Sequence, residues 1–319
     1  MRQSVQSTNR EHTDRPRACA TMISILTTAS SALMVSPSAR VHARAPPIVS
    51  SIAVFGASGG TGSEVVMQSL MNGERVSALV REKRKLQAPR TIANFRQDLP
   101  TSGTDLVHFR QGSMDNMCEM DTKDGYLKDR LKVTAGSVTN QADVDKVFEG
   151  EDITGVIVAL GGKTKDVGPT MLQEGTANIV AACQANGIKR IAVVSTIGAG
   201  DSMDQASWGF KLLMNTVMKT VMEDKNKQEA LFAPGGPGSD LEFCIIRPGG
   251  LKSEEPSGVV NVIDGEAGPI SRADVAAFLL DAICEPDFKY VRKSICISSD
   301  KGSGFDSVLA DKTKSRMGK

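Results

Sequence analysis

The sequence predicts a doubly wound α/β fold, a parallel sheet with helices on both faces, built as a single domain. Two observations predict it. Short apolar runs of strand length alternate with segments of helical periodicity from residue 51 onward, and a glycine-rich turn joins the first such strand to the first such helix.

Taken in order, Ser51–Phe55 reads as a short apolar strand, and apolar positions at helical spacing follow from Ser63 to Leu70. Val76–Val80 reads as a second strand, Lys132–Ala135 as a third, Gly155–Leu160 as a fourth, Arg190–Val194 as a fifth and Leu241–Ile246 as a sixth. Between the fourth and fifth, Met171 to Asn186 has the apolar spacing of a helix, with Gly187 as its stop. Such alternation favours a parallel sheet covered on both faces.

Residues 51–300 are expected to form this domain. The stretch at about 86–130 interrupts its rhythm: it is polar, lacks sustained periodicity and exceeds an ordinary connection, so an insertion with a mobile portion is expected there. Residues 301–319 read as a C-terminal tail. Residues 1–50 are rich in Ser, Thr, Ala and Arg, contain no Lys, and hold only Glu11 and Asp14 as acids. A mildly apolar stretch from Met22 precedes the basic segment Arg40–Arg44. This composition predicts a disordered targeting leader addressed to a plastid, with the mitochondrion as the alternative and an untargeted tail as the plainest reading.

Composition narrows the function classes. A formal net charge of +1 gives no overall basic excess to attract nucleic acid, and the scarcity of aromatic residues leaves little on which bases would stack. No apolar run approaches the roughly 18 residues of a spanning helix, so a soluble chain without a transmembrane segment is expected. The six cysteines show no C-x-x-C spacing, and Cys244, in an apolar run, reads as a buried reduced thiol. Of three histidines, His12 and His42 lie in the leader and His108 in the polar insertion. No metal site is expected, and a Ser-His-Asp scheme is disfavoured.

The turn reads Gly56-Ala57-Ser58-Gly59-Gly60-Thr61-Gly62. Gly56 allows the sharp bend after the strand, Gly59 the close approach of backbone to a pyrophosphate, and Gly62 the packing of helix on sheet. The helix beginning near Thr61 aims unpaired amides and the positive end of its dipole at the phosphates. Lying between strand and helix at the opening of the domain, it reads as the dinucleotide-binding turn of a Rossmann-like fold. A P-loop is excluded because no Lys-Ser or Lys-Thr follows the last glycine. Gly56, Ser58, Gly59, Gly60, Thr61 and Gly62 are therefore candidate cofactor contacts. The second strand ends in Arg81, with Lys83, Arg84 and Lys85 behind it. NAD enzymes usually place an acid there and NADP enzymes a cation, so NADP(H) is favoured over NAD(H), with a solvated basic helix start beside Glu82 as the alternative.

Further motifs follow in order: Leu79-Val80-Arg81, Gly136-Ser137-Val138-Thr139, Val194-Ser195-Thr196-Ile197-Gly198-Ala199, Lys225-Asn226-Lys227-Gln228-Glu229, Ile246-Arg247-Pro248-Gly249-Gly250-Leu251 and Ile270-Ser271-Arg272-Ala273-Asp274-Val275-Ala276. From Ile52 to about Ser298 the chain thereby resembles the atypical (extended-type) short-chain dehydrogenase/reductase superfamily, in particular its NAD(P)H-binding branch common in cyanobacteria and plastids. The resemblance implies that Ser137 and Val138 lie beside the adenine, with Ser137 in place of the usual Asp. It implies that Leu160 and Gly161 flank the ribose and nicotinamide side, and that Pro248 and Gly249 form the loop over the nicotinamide. Ser271 and Asp274 look like the cap and first-turn acid of a structural helix.

The catalytic part departs from the family. Active members commonly use Tyr-x-x-x-Lys, in which the lysine lowers the tyrosine's pKa for proton exchange. This chain has two tyrosines, Tyr126 followed four residues on by Arg130 and Tyr290 by Ser294. Lys225 matches the family's lysine, but Val221 stands four residues before it. Two readings survive. In the first, hydride passes from NADPH to a flavin, quinone or related small acceptor, with solvent completing protonation; Ser195 and Lys225 are then the candidate catalytic residues, Ser195 orienting the acceptor and Lys225 holding the nicotinamide ribose or an anionic group. In the second, the chain binds NADP(H) without turnover and serves as a redox-responsive scaffold or assembly factor for a plastid protein complex. The plainer alternatives are a strand-end hydroxyl for Ser195 and a surface helix residue for Lys225. Finally, Met203 to Met222 reads as a long apolar helix surface with Lys211 and Lys219 interspersed. Core packing is the expected role, with a substrate pocket or partner surface as the alternative.

Overall fold

The computed structural model describes residues 50–89, 130–162 and 168–299. The chain divides into units Met1–Pro47 and Ile48–Lys319, and every element below belongs to the second. Apart from their margins, the expected leader (1–50), insertion (86–130) and tail (301–319) lie outside the described residues, as do His108 and Tyr126.

In chain order the elements are β1 (Ser51–Phe55), α1 (Gly60–Met71), β2 (Arg75–Val80), β3 (Leu131–Ala135), α2 (Gln141–Phe148), β4 (Ile153–Val158), α3 (Met171–Ala185), β5 (Arg190–Val194), α4 (Trp208–Asn215), α5 (Lys219–Ala230), β6 (Glu242–Pro248), β7 (Leu251–Lys252), β8 (Asn261–Ile263), β9 (Ile270–Ser271), α6 (Arg272–Cys284) and β10 (Lys293–Ser298). The main sheet has the order β3-β2-β1-β4-β5-β6-β10-β8, and β7 and β9 form a separate parallel pair. All pairings in the main sheet are parallel except β10 with β8, which closes one edge antiparallel. The fold is thus the Rossmann-like α/β fold that the sequence predicts, as a single domain with a mostly parallel sheet.

The strands are apolar throughout because both faces are covered. Side chains alternate across the sheet: Ile52 and Val54 face the layer of α1 and α6, whereas Ala53 and Phe55 face the layer of α2 and α3. Ile157, Ala192 and Val194 continue the first layer, and Val156, Val158, Ile191 and Val193 the second. Full burial of each such Val, Ile or Phe contributes roughly 1.5–3 kcal/mol, so the strand cores hold this topology. β4 begins two residues earlier than the sequence suggests and stops at Val158, leaving Leu160 beyond its end.

Capping fixes where the helices begin. Asn140 accepts from the Ala142 N–H ahead of α2, and Ser271 accepts from the Asp274 N–H ahead of α6. At α3 no local side chain caps; instead Asp224 of α5 accepts from the N–H groups of Leu172 (2.8 Å) and Gln173 (3.0 Å). One expectation needs correction. Met203 to Met222 is not one packed helix surface but a short 3-10 turn at Met203–Gln205, then α4, then the start of α5. The chain breaks at Thr216, whose hydroxyl donates to the Leu212 and Leu213 carbonyls. Met214 and Met222 are buried, but Trp208, Leu212 and Val217 are 81%, 56% and 66% exposed. Splitting the helix leaves it too short to press its whole apolar surface on the core.

The strand order reverses between β1 and β4: chain connections leave β1 toward β2 and β3, and leave β4 toward β5 and β6. At such a switch point the connecting segments diverge and open a crevice beyond the C-terminal strand ends.

Candidate functional site

The crevice is a cleft of about 360 Å³ at the ends of β1, β2, β3 and β4. Its floor is the glycine turn. Gly56 has φ +85°, and a Cβ there would lie 2.4 Å from the Ala159 carbonyl oxygen, so the bend holds the β1 exit tight against the β4 exit. A Cβ on Gly62 would lie 2.1 Å from the Gly56 carbonyl oxygen, which only glycine permits. The turn closes with the Gly59 N–H donating to the Gly56 carbonyl at 2.9 Å. No side chain caps α1 at Gly59, so the N–H groups of its first turn are left for a ligand.

Of the residues singled out from sequence, Gly56, Ser58, Gly59, Arg81, Ser137, Val138, Leu160 and Gly161 line this cleft together. Gly60 lines an adjoining cleft of about 200 Å³ that shares Ser58, Gly59 and Lys85 with the first. Thr61 and Gly62 are buried in the first turn of α1. Arg81 is exposed at the end of β2, while Arg84 and Lys85 both pair with Glu82. Those hydrogen bonds, Lys85 first and Arg84 second, hold the Glu82 carboxyl below its usual pKa.

Lys85 of the basic run and Thr139 of the Gly136–Thr139 motif also line the larger cleft, as does Met171 at the start of α3, while Gly162 joins them with no sequence signal of its own. The corner beside Ser137 also contains an acid that position alone does not reveal. Asp143, in α2, accepts from the Ser137 N–H at 3.1 Å, and the Ser137 hydroxyl meets that of Thr139 at 2.8 Å. Lys146, and after it the Ser137 amide, keep the Asp143 carboxyl ionised below its ordinary pKa. The carboxylate that sequence reasoning finds missing at 137 is therefore supplied to that corner's backbone from 143.

Pro248 and Gly249, at the end of β6, are not among the residues lining either cleft. The Ile197 N–H donates to the Pro248 carbonyl at 3.1 Å, and the Gly249 N–H to the Ile297 carbonyl at 3.2 Å. These bonds stitch the exits of β5, β6 and β10 together.

Ser195 and Lys225 are not among the residues lining either cleft. Ser195 is buried and its hydroxyl donates to Glu229 of α5. Glu229 also receives Arg247 of β6 through Nε (3.1 Å to Oε1) and Nη2 (2.6 Å to Oε2), while Arg247 Nη1 pairs with Asp201. Burial works against the Arg247 charge, but the bonds to Glu229 and Asp201 outweigh it and raise its pKa above the usual value. Lys225 is equally buried: Nζ donates to the Val194 carbonyl (2.7 Å), to Gln228 Oε1 (3.0 Å) and to the Leu160 carbonyl (3.4 Å). Burial pulls its pKa down to about 8, against the opposing pull of Glu229 and Asp224. It thus ties the exits of β4 and β5 to α5, and it is no surface residue. Tyr290 packs between Phe278 and Phe288 in the core, and burial pushes the Cys183 thiol up to about 12 and Cys244 higher still. Such thiols are inert.

Among the described residues, no helix is long and apolar enough to cross a membrane. A protein-family model described as NAD(P)H-binding matches residues 121–286, more than half of the chain. An uncharacterised chloroplastic protein of Arabidopsis thaliana is 28% identical over 248 residues, covering 75% of this chain and 74% of that protein. Among solved structures, ChuY, an anaerobillin reductase from Escherichia coli O157:H7, has a TM-score of 0.55 at 19% identity, covering 79% of this chain and 98% of that one. A wide-type short-chain dehydrogenase/reductase from Veillonella parvula in complex with NADP has a TM-score of 0.53 at 17% identity, covering 81% and 98%. At these identities the two structures establish the likeness of fold.

Proposed function

Because the chain belongs to the NAD(P)H-binding family, as its resemblance to the atypical short-chain dehydrogenase/reductases implied, we propose that it binds NADP(H) in preference to NAD(H) and reduces a flavin, quinone or related small acceptor. One observation carries this reading: a single cleft joins the glycine turn and the open first turn of α1 to the cations Arg81 and Lys85. The residues fit a dinucleotide, with backbone amides for the pyrophosphate, cations for the additional phosphate of NADP, and Ser137, Val138 and Thr139 beside the adenine.

When bound, the nicotinamide supplies a hydride. Leu160 and Gly161 flank it at the exit of β4. Lys225 acts through the backbone: its bonds to the Leu160 and Val194 carbonyls fix the two strand exits on which the nicotinamide half rests, which makes it a positioning residue. Ser195, through Glu229 and Arg247, fixes the β5 exit against β6. With valine at 221, the family's tyrosine position holds no proton donor, and solvent completes the reduction.

Calorimetric titration of the full chain with NADPH and NADH tests the premise. Binding of both, tighter for NADPH, is expected; undetectable binding of both would overturn it. Stopped-flow oxidation of bound NADPH by a panel of flavins and quinones then tests turnover. A second reading, a non-catalytic NADP(H)-binding scaffold or assembly factor, is favoured by the inward hydrogen bonding of Ser195 and Lys225 and by the apolar surface of α4. Tight binding with no oxidation by any acceptor would select it. The chloroplastic relative supports a plastid address, which residues 1–50 fused to a fluorescent reporter would test against a mitochondrial one.

A further inference from the structure

The glycine turn contains one glycine more than its backbone requires. Gly56 and Gly62 are excluded from carrying a Cβ by backbone atoms, but the obstacle at Gly60 is a side chain distant in sequence: a Cβ there would lie 2.7 Å from Cδ and 2.8 Å from Nε of Arg272. Arg272, the first residue of α6, therefore lies against the N-terminal turn of α1. It is aimed rather than loose. Nη1 donates to Ser253 Oγ at 2.7 Å and lies 3.4 Å from the Leu251 carbonyl, and among the described residues its other N–H groups make no hydrogen bond.

The surroundings suit an anion. Arg272 lines the cleft of about 200 Å³ together with Gly59, Gly60, Ser63, Lys85 and Ser253. Lys85 there is paired with Glu82, and the buried Glu64 adds one negative charge, so Arg272 is the lining cation without an ion pair among the described residues. A cation at the first position of a helix is also disfavoured by that helix's dipole, a cost that a neighbouring anion reverses. The guanidinium fork matches the paired oxygens of a phosphate.

We propose that Arg272 is a clamp on the pyrophosphate of the dinucleotide, reaching from α6 across the first turn of α1, and that residue 60 is glycine so that the clamp can lie there. This deepens the NADP(H) reading and rests on it. Because the pyrophosphate is common to both cofactors, Arg272 contributes equally to NADPH and NADH, whereas Arg81 discriminates between them.

The test is calorimetric titration of the full-length chain and its variants with NADPH and with NADH, with thermal unfolding of each free protein. Arg272→Ala is expected to weaken both cofactors by about tenfold or more, in the same ratio. Gly60→Ala supplies a variant that a purely structural role would not explain. Alanine favours helix over glycine, so the melting temperature holds or rises, yet both affinities fall as the Cβ displaces the guanidinium. Unchanged affinities in Arg272→Ala would overturn the clamp, and a loss confined to NADPH would overturn it in favour of a contact with the additional phosphate. A wild-type chain that bound neither cofactor would instead overturn the function on which the clamp rests.

Discussion

At the β1–β2–β3 side of the sheet, polar groups are left open; at the β5–β6–α5 side they satisfy one another. The first region offers an uncapped helix turn, an exposed Arg81 and hydroxyls at its rim. The second buries Ser195, Asp224, Lys225, Glu229 and Arg247, each bonded within the protein. Both hold residue types that a reader of sequence associates with a site. The difference is one of direction: a polar side chain with internal partners holds the fold, and one without them is free for a ligand.

This contrast makes separable predictions. Glu229→Ala removes the buried partner of Arg247, leaving it only the exposed Asp201, and is expected to lower stability by about 3 kcal/mol, read from urea unfolding. If it changed cofactor affinity while leaving stability intact, the contrast would break. Lys225 gives the next largest effect, and its sign follows from its lowered pKa. From about pH 8 to the unfolded value near 10.5, the unfolded chain holds a proton that the folded chain has released, so this residue's contribution to stability rises with pH. The rise is about 3 kcal/mol across that window, and Lys225→Met should remove it from unfolding curves taken at successive pH values. Asp224→Ala leaves the Leu172 and Gln173 N–H groups unpaired at the start of α3, costing about 1–3 kcal/mol in the same assay. Smallest is Arg81→Ala, which should weaken NADPH by about tenfold, leave NADH unchanged and not alter the melting temperature. Equal losses for the two cofactors would remove Arg81 from the discriminating role.

Much of the fold was legible because strands buried on both faces must be apolar along their whole length, as Ile52–Phe55 and Val156–Val158 are. The short strands β7, β8 and β9 lack the length to show any period. β10 begins with the exposed Lys293 and Ser294, which hide its apolar end. The glycine turn was legible because its constraint is local: Gly62 must pass the backbone of Gly56. Asp143 was not, since its role at Ser137 depends on how α2 turns back on β3. Nor was Arg272, whose contact with Gly60 needs α6 packed beside α1. For Ser195 and Lys225 the sequence reveals chemistry but not heading, and heading is set by Glu229 and by the carbonyls at the strand exits. Trp208 and its neighbours show the converse. Their apolar spacing suggested packing, but the break at Thr216 turned much of that surface outward.

Trp208 is also the chain's single tryptophan, and it stands 81% exposed on α4. The protein therefore carries a built-in optical reporter confined to one surface. An indole so exposed is expected to emit as one in water, and a molecule that buries it on α4 against apolar surface is expected to shift that emission to the blue, without a label and without a second indole in the chain. Reduced cofactor seated in the cleft would be followed by nicotinamide fluorescence, and a molecule resting on α4 by the wavelength rather than the intensity of the indole emission.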